Sequence, residues 1–410
     1  LLFNFVCVEK IYRLYNKMDV AKKMDPKKMK IMASNIKNSG ATLGKRLVSG
    51  AMKAKPEMMA LVIGIVMLVL FFVYGVKKMN KFVQNNLRLE QIYSDFPKIS
   101  TINTLIPNNR FSYKLRDYYV KTAYNCCSSG DVKNDYVSEK ALKTCIRQGA
   151  RCLDFQIFSI DNRPVIAVSG NDDYSVKGSY NDVPFATAMK SIANYAFSPA
   201  SCPCSGDPLI LHFRVMTNNV SIMETMAHDI QASLASRTLG KDYSFENHGE
   251  NIGSTKLKEL KGKVVIIVDK SHANPTKTKL DEYVNLTSNS AFMRTLRYRD
   301  VKFTPDMKEL VDYNKKNMSM CIPDVGEHPD NPSPTIAHKY GCQFVAMSFP
   351  KMDDKMRYYT KIFDQEGSAF ALKPESLRYI PVTVNIPPPA RPELSYKDRK
   401  IESDFYSLKI

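Results

Sequence analysis

Two kinds of short motif are missing from the sequence, and each absence argues against a class of protein. The nine cysteines include no two CxxC motifs at zinc-site spacing, which argues against a structural zinc centre. Neither Gly-x-Gly-x-x-Gly nor a Walker-type loop occurs, which argues against a nucleotide-binding sheet. Five histidines stand in helical or loop contexts and form no ligand motif: His228, His248, His272, His328 and His338.

The cysteines have two different expected roles. Cys126–Cys127 and Cys202–Cys204 are close enough in sequence to become oxidised if the protein faces an oxidising compartment. For the more isolated cysteines we expect small, buried, apolar side chains, at Cys145, Cys152 and Cys342.

Charge is absent from residues 58–76, a stretch of 19 residues that reads MMALVIGIVMLVLFFVYGV. At ~1.5 Å per residue, a helix of this length just spans a hydrocarbon core of ~30 Å. A buried core helix is the alternative, but such helices rarely run so long without a polar position. A cleaved signal peptide does not fit, because the run is too long and no small-residue cleavage pattern follows it. The stretch predicts a single transmembrane helix.

Basic residues are concentrated before and around this stretch. The formal net charge of the chain is +18, and residues 1–90 hold 17 Lys and Arg against 5 Asp and Glu. Beside an apolar helix, such a flank favours anionic lipid over nucleic acid as its partner. Ten basic residues within 22–55 favour a cytoplasmic N-terminus. The large domain would then lie on the non-cytoplasmic or virion-surface side, although the basic counts close to the helix are similar on both sides.

The remaining chain divides into segments of different composition. Residues 1–57 form the basic N-terminal segment. Residues 1–17 precede Met18, and two origins stay open for them, read-through or the remains of a longer segment, so they are left out of the fold prediction. Residues 77–106 predict a polar, partly helical stalk. The tail, 381–410, is rich in proline and charge and predicts an extended, exposed arm.

Between stalk and tail, short apolar runs alternate with amphipathic stretches. The runs cover 117–123, 150–158, 163–169, 208–215, 263–269, 342–349 and 368–372. Several are continuous and β-branched, which is typical of parallel strands buried on both faces. Amphipathic helices are expected at 138–148, 184–195 and 221–234. This α/β pattern predicts a parallel barrel or a doubly wound sheet.

Two blocks of sequence resemble one family. GCQFVAMSF followed by FDQEGSAFALKPESLRY, within 341–378, resembles the Y region of phosphoinositide-specific phospholipase C. YNCCSSG, ALKTCIRQGARCLDFQIF, the segment ending GDPLILHF and LKGKVVIIVDK resemble its X region. The resemblance implies a distorted (β/α)8 TIM barrel of the PLC-like phosphodiesterase type, with an X-like half at 107–275 and a Y-like half at 276–380. Its active site would lie at the C-terminal ends of the strands. Barrels with Tyr-Asn-Cys-Cys are also similar to proteins of large DNA viruses.

The family's chemistry gives each site position an expected role. The inositol 2-hydroxyl attacks phosphorus. One histidine stabilises the phosphoryl oxygens, another protonates the leaving diacylglycerol, and Ca²⁺ is held by Asn, Asp and Glu side chains. The first histidine matches Tyr124, beside a retained Asn125, and the Glu-x-Asp pair matches Asp154 and Gln156. The position of the second histidine matches Ser169 and its neighbours, and none of these residues is a histidine.

Two further changes bear on the metal and the phosphate. A glutamate of the family matches Arg214, which places a cation where an oxygen ligand would approach Ca²⁺. The family's phosphate-binding residues match Ile267, Asp269, Asp300 and the segment 320–322, with Lys270 next to one of them. Only Asn125 and Asp154 remain as remnants of the metal site. We therefore expect neither a bound Ca²⁺ or other cofactor nor hydrolysis by the family's mechanism.

Two interpretations of the altered site remain open. His212 and Arg214 are two residues apart on a strand and share a face. With Tyr124, Asp154 and Lys270 they could bind a phosphate or carboxylate. Alternatively, Arg214 pairs with Asp154 as an internal ion pair that substitutes for the metal.

Three functions follow from these patterns. The first is a non-catalytic, single-pass membrane protein whose barrel is a scaffold or an anionic-ligand module. The second is an active phosphatidylinositol phospholipase C-type phosphoric diester hydrolase with a rearranged site. In the third, the basic segment 22–55 tethers an anionic surface or nucleic acid, although nucleic acid is not the favoured partner.

Overall fold

The computed structural model describes residues 56–102, 111–171, 176–244, 251–271, 274–381 and 397–410. The expectations for residues 1–55 and most of the tail therefore lie outside the described residues. The chain forms two compact units, Leu1–Asn80 and Lys81–Ile410.

The apolar stretch is helical, as expected. It belongs to α1 (Pro56–Ile92), and the side chains of Leu68 and Phe71 are 70% and 78% exposed. Among the described residues, one helix is long and apolar enough to cross a membrane, and it covers Ala60–Ile92. So many exposed apolar side chains would be costly in water, which agrees with a lipid environment.

The second unit contains the strands and the other α-helices of the described chain. The strands are β1 (Tyr118–Ala123), β2 (Cys152–Ile160), β3 (Arg163–Ala167), β4 (Val183–Pro184), β5 (Leu209–Val215), β6 (Val264–Asp269), β7 (Leu286–Ser288), β8 (Met293–Arg297), β9 (Met318–Ile322), β10 (Phe344–Met347), β11 (Phe370–Leu372), β12 (Lys400–Ser403) and β13 (Tyr406–Lys409). The helices are α2 (Glu139–Arg147), α3 (Phe185–Tyr195), α4 (Ser221–Leu234), α5 (Tyr298–Lys302), α6 (Met307–Lys316), α7 (Pro334–Lys339) and α8 (Asp354–Glu366).

Eight of the strands form a nearly closed parallel barrel. Their order is β7-β6-β5-β2-β1-β10-β9-β8, so chain order is followed around the barrel. Strand β1 pairs in parallel with both β2 and β10, which joins the two halves of the chain. In this ordering β7 and β8 are the two ends, without a ladder of hydrogen bonds between them. The predicted (β/α)8 barrel is confirmed, and amphipathic helices lie at the three places predicted for them.

Two predicted strands have a different role. The run 163–169 contains β3, which pairs antiparallel with β2 outside the eight-stranded barrel. Asp161 and Asn162, with φ of 50° and 58°, form the two-residue turn, a geometry that suits a type I′ hairpin. The run 368–372 contains β11, which is antiparallel to β1. Both runs are apolar because they cover the barrel, and not because they belong to its wall.

The stalk prediction was wrong for the end of α1 and the segment after it. Leu89, Tyr93, Ile99 and Ile102 are 2–6% exposed and belong to the core of the second unit. The Tyr93 hydroxyl donates to the Phe349 carbonyl at 2.8 Å. Leu89 and Tyr93 are four residues apart, so they share a helical face and can dock together. The polar residues between them had concealed this narrow apolar face.

The end of the tail also differs from an extended arm. Strands β12 and β13 form an antiparallel hairpin whose residues are all exposed. Residues 382–396, which carry the proline-rich part, lie outside the description. The exposed character expected for the tail is therefore confirmed for 397–410, whereas its shape there is a hairpin.

The described cysteines are all buried and none is in a disulfide. Cys145, Cys152 and Cys342 are at most 2% exposed, which confirms the small, buried side chains expected there. The suggested oxidation of the two close pairs is not realised in this state of the molecule.

Candidate functional site

The strands bring the matched positions together at one end of the barrel. Tyr124 and Asn125 directly follow β1, Asp154 lies in β2, and His212 and Arg214 lie in β5. Because β1, β2 and β5 are neighbouring parallel strands, their C-terminal ends meet at the same mouth. The register pairs Asp154 with His212 and Gln156 with Arg214 across adjacent strands.

Arg214 and Asp154 form a bidentate, buried ion pair. The Arg214 Nε donates to Asp154 Oδ1 at 2.9 Å, and its Nη2 donates to Asp154 Oδ2 at 2.6 Å. The same Nη2 donates to the Asn125 Oδ1 at 2.7 Å. Asp154 is 0% exposed and Arg214 is 5% exposed. Two parallel charge-assisted hydrogen bonds in a buried site hold the guanidinium in one orientation.

Both partners remain charged at neutral pH. Burial alone raises the pKa of the Asp154 carboxyl, but the Arg214 guanidinium and the His212 hydrogen bond hold it well below its ordinary value. Burial alone lowers the pKa of Arg214, whereas the charge of Asp154 raises it above its ordinary value. The pair therefore behaves as a fixed internal dipole, and neither group is a proton donor or acceptor near pH 7.

Tyr124 and Asn125 complete the surroundings of the guanidinium. The Arg214 guanidinium carbon lies 4.9 Å from the centre of the Tyr124 ring, within cation–π distance. Asn125 has a φ of 42°, in the left-handed region that asparagine tolerates better than most residues. Its backbone N–H donates to Asp154 Oδ2 at 3.1 Å. Tyr124, at the position matched to the family's first histidine, thus contacts a cation.

His212 belongs to a buried relay that the sequence reasoning did not find. Its Nδ1 lies 2.8 Å from Asp154 Oδ1, and its Nε2 lies 3.0 Å from the Ser288 Oγ. This carboxylate–imidazole–hydroxyl order is the one that activates serine nucleophiles. However, His212 and Ser288 are both 0% exposed, and neither lines the cavity at the mouth. Ser288 ends the three-residue strand β7, which is too short to give a periodic signal in the sequence.

The remaining predicted residues do not join this cluster. The Gln156 Oε1 accepts a hydrogen bond from the Ser169 backbone N–H at 2.8 Å, so the amide fixes the segment after β3. Lys270 is exposed, and its backbone N–H donates to the Ser288 carbonyl. The expected pocket of His212, Arg214, Tyr124, Asp154 and Lys270 stays a prediction, with Lys270 exposed beside Asp269 and Ser271 of the cavity described below. Of the two interpretations, the Arg214–Asp154 ion pair is the one that the geometry contains.

A cavity of about 300 Å³ opens beside Arg214. Its lining combines charged, polar and apolar side chains: Arg214, Met216, Asp269, Ser271, Asn289, Thr295, Arg297, Asp300 and Ile322. Burial raises the pKa of Asp269, but His212 and hydrogen bonds from Ser271 and Asn289 hold it below its ordinary value. The mouth therefore carries both signs of charge and suits a small polar group.

The described residues at the mouth do not fit a calcium ion. Ca²⁺ takes six to eight oxygen ligands. The two retained oxygen donors, Asn125 Oδ1 and Asp154 Oδ2, already accept from the Arg214 guanidinium. Across the described residues, no group of three or more His, Cys, Asp or Glu side chains could hold a metal ion.

Comparison with known proteins gives the same fold and the same order of halves. The X domain model of phosphatidylinositol-specific phospholipase C matches residues 111–270, and the Y domain model matches residues 264–376. The crystal structure of L. pealei PLC21 is similar at 20% identity with a TM-score of 0.55. That alignment covers 66% of this chain and 38% of the other.

A second solved structure is similar to the same extent. S. officinalis PLC21 aligns at 20% identity with a TM-score of 0.53, over 68% of this chain and 40% of that chain. The chain thus spans less than half the length of these structures, and the likeness concerns the barrel fold. Because the X and Y domain matches together cover 111–376, the chain belongs to the phosphatidylinositol-specific phospholipase C family.

Proposed function

We propose that this chain is a membrane-anchored, non-hydrolytic member of its family, in which the barrel is a scaffold or a binding module for a small anionic group. The observation that carries the proposal is the Arg214 guanidinium held by Asp154 and Asn125. A fixed cation at this position repels Ca²⁺ and uses the oxygens that the metal requires.

Among the described residues of this mouth, we find no group suited to acid–base catalysis. Each acid or base role typically contributes a factor of ~10²–10⁴ in rate. Tyr124 faces a guanidinium, and His212 is held between Asp154 and Ser288 without exposure to solvent. Since both proton-transfer roles are lost together with the metal, we propose that hydrolysis of phosphoinositides is absent.

The same mouth also has the groups for a binding role. Arg214 and Arg297 line the 300 Å³ cavity together with Asp269 and Asp300. The two arginines supply donors for a phosphate or carboxylate, and the two acids restrict which anions fit. We propose that occupation of this cavity serves recognition and not turnover.

The decisive experiment measures hydrolysis by the full chain in detergent micelles or lipid nanodiscs. Phosphatidylinositol and its phosphorylated forms are offered with Ca²⁺ or with a chelator, and water-soluble inositol phosphate is quantified. We expect no release above a protein-free blank in either condition. Calcium-dependent release that scales with protein concentration would exclude the proposal.

The buried relay favours a second candidate, a phosphoric diester hydrolase with a rearranged, metal-independent site. In that case release would persist in chelator. Ser288→Ala, Arg214→Ala and Tyr124→Phe would each reduce the release sharply, while Ser290→Ala, which changes a serine outside the relay, would not. If turnover is found but none of the three variants affects it, the relay is structural and the activity lies elsewhere.

A further inference from the structure

A second cluster of charged and nucleophilic groups lies at the opposite end of the barrel strands. Arg151 immediately precedes β2 and Lys121 lies in β1, and the Arg151 backbone N–H donates to the Lys121 carbonyl at 2.8 Å. Both side chains are 0% exposed. Two buried cations on adjacent strands require compensation by neighbouring negative or polar groups.

The groups that face Arg151 are two cysteines in the loop before β5. The Arg151 Nη2 donates to the Cys202 Sγ at 2.9 Å, and the Arg151 Nε donates to the Cys204 Sγ at 3.1 Å. The two sulfurs are 3.7 Å apart and hydrogen-bonded to each other. Arg151 also donates to the Ala196 carbonyl at 2.9 Å and to the Cys204 carbonyl. The guanidinium thus donates hydrogen bonds to both sulfurs and to two backbone oxygens.

The charge distribution favours ionisation of one thiol. The hydrogen bond with Cys204 lowers the pKa of Cys202, and the charge of Arg151 lowers it further, whereas burial raises it. The pKa of Cys202 therefore lies below that of an ordinary cysteine. Burial and the hydrogen bond with Cys202 raise the pKa of Cys204. This division gives one thiolate and one thiol in contact, the combination that thiol–disulfide exchange requires.

The surroundings of this pair differ from those of the other close pair in the chain. Burial, the hydrogen bond with Cys127 and nearby anionic groups, including Asp154, raise the pKa of Cys126. Both pairs are buried, so burial does not distinguish them. The two pairs are distinguished by a cation, because Arg151 contacts both sulfurs of the Cys202–Cys204 pair. The residues that flank this pair, Ser201, Pro203 and Ser205, are partly exposed, so the loop lies near the surface.

We propose that Cys202 and Cys204 form a reversible redox site, which closes to an intramolecular disulfide by exchange with a small-molecule disulfide. The Cys202 thiolate attacks one sulfur of the external disulfide, forms a mixed disulfide and releases one external thiolate. Cys204 then attacks the Cys202 sulfur, the internal disulfide forms, and the second external thiol leaves with the Cys204 proton. The two cysteines are oxidised, and the external disulfide is reduced to two thiols.

Closure has a structural consequence at Arg151. The disulfide carries no charge, so the buried guanidinium loses the thiolate that compensates it. The two backbone carbonyls and the nearby Asp207 remain, which is less compensation than with the thiolate present. We therefore expect the oxidised protein to unfold at a lower temperature than the reduced protein, although a new covalent link has formed.

The experiment uses the full chain and peptide mapping. The protein is equilibrated with reduced and oxidised glutathione in different ratios, quenched in acid, alkylated and digested with trypsin. Peptide 191–214 contains only Cys202 and Cys204, and peptide 122–133 contains only Cys126 and Cys127. We expect the first peptide to lose two hydrogen atoms and escape alkylation as the buffer becomes more oxidising, while the second is alkylated at both cysteines. Equal behaviour of the two peptides would overturn the proposal.

Two variants separate redox chemistry from a purely structural role of the cysteines. Cys204→Ala removes the resolving thiol, so we expect a stable mixed disulfide with glutathione on Cys202. The matched Cys126→Ala variant should gain no glutathione. In the native protein, the alkylation rate of Cys202 should reach half its maximum at a pH below ~8.5, the value of an ordinary cysteine. An unmodified Cys202 in the first variant together with an ordinary pH profile would show that the pair only packs around Arg151.

Discussion

In the proposed function, Arg214 stands at the position that the resemblance assigns to an oxygen ligand, so both the sign of charge and the kind of bond differ there. A divalent ion could exchange ligands and activate a bound hydroxyl. A guanidinium offers only N–H donors in a fixed plane. The three bonds to Asp154 and Asn125 use this plane fully on one side, and the Tyr124 ring lies within cation–π distance of it. At the scale of one residue, Arg214 is held in the fold by these contacts.

Removal of this guanidinium should destabilise the fold in a pH-dependent way. For Arg214→Met we expect a loss of about 3–5 kcal/mol at pH 7, because the buried Asp154 charge is left uncompensated. In the native protein the pKa of Asp154 is depressed, so its contribution is present above ~3.9 and is lost as pH falls below that value. In the variant, burial raises the pKa of Asp154 and protonation relieves the cost. The difference between the two proteins should therefore shrink from pH 7 to pH 4.

Chemical denaturation at several pH values measures this difference. Arg299→Met is the matched control, because the Arg299 side chain is 71% exposed and its pair with Asp300 is long, at 3.6 Å. A loss in Arg214→Met that is no larger than in the control, or one that grows toward acid pH, would contradict the structural role of the ion pair.

At the scale of elements, the end of α1 has two faces with different surroundings. Leu89 is 2% exposed in the core of the second unit, whereas Leu87 on the same helix is 50% exposed. The docked face is reinforced by polar contacts, among them the Asn85 amide on Asp135 at 2.7 Å and Lys81 on Asp135 at 2.9 Å. The helix is therefore held by its packing and not only by its connection to the barrel.

Truncation of the docked leucine should loosen this segment. Leu89→Ala should cost about 2–5 kcal/mol, the usual range for a buried leucine, and Leu87→Ala should cost little. The measurement is the rate of trypsin cleavage at Arg88 and Lys98 in the full chain, together with thermal unfolding. We expect faster cleavage and a lower melting temperature in Leu89→Ala alone. Equal rates in the two variants would mean that the segment is not docked in solution.

The sequence was sufficient for elements with a strong pattern and insufficient for short ones. Strands β1, β2, β5, β6 and β10 were predicted as barrel strands because they are continuous apolar runs. Strand β8 reads MRTLR and β7 has three residues, so neither has a period that can be recognised. The apolar run of β3 was assigned to the barrel because composition does not distinguish a wall strand from a hairpin that covers it.

At the site, sequence reasoning found the pair that shares a strand face but not its third partner. The spacing of two residues predicts that His212 and Arg214 share a strand face, and the resemblance to the family identifies Asp154 as a site residue. Ser288 lies 76 residues after His212, and nothing local marks it as a partner. Long-range register across β5, β6 and β7 decides that contact, and register is a property of the folded sheet.

At the scale of the whole molecule, the apolar helix should decide where the protein is found. We expect the full chain to remain with membranes at alkaline pH and to be released by detergent, because the helix that contains residues 58–76 is long and apolar enough to cross a bilayer. Deletion of 58–76 should release the barrel into the soluble fraction. Recovery of the full chain in the soluble fraction without detergent would contradict this assignment. Protease added to sealed vesicles then tests the proposed non-cytoplasmic side of the barrel.

The pairing of β1 with β10 has a consequence for synthesis on the ribosome. Val120 lies opposite Phe344, so the first barrel strand emerges long before its second neighbour exists. At ~5–20 residues per second, this interval lasts on the order of ten to forty seconds. Throughout it, the edge of β1 is open and apolar while the preceding helix is already available to a translocation channel. The barrel therefore closes only after nearly the whole second half has been translated.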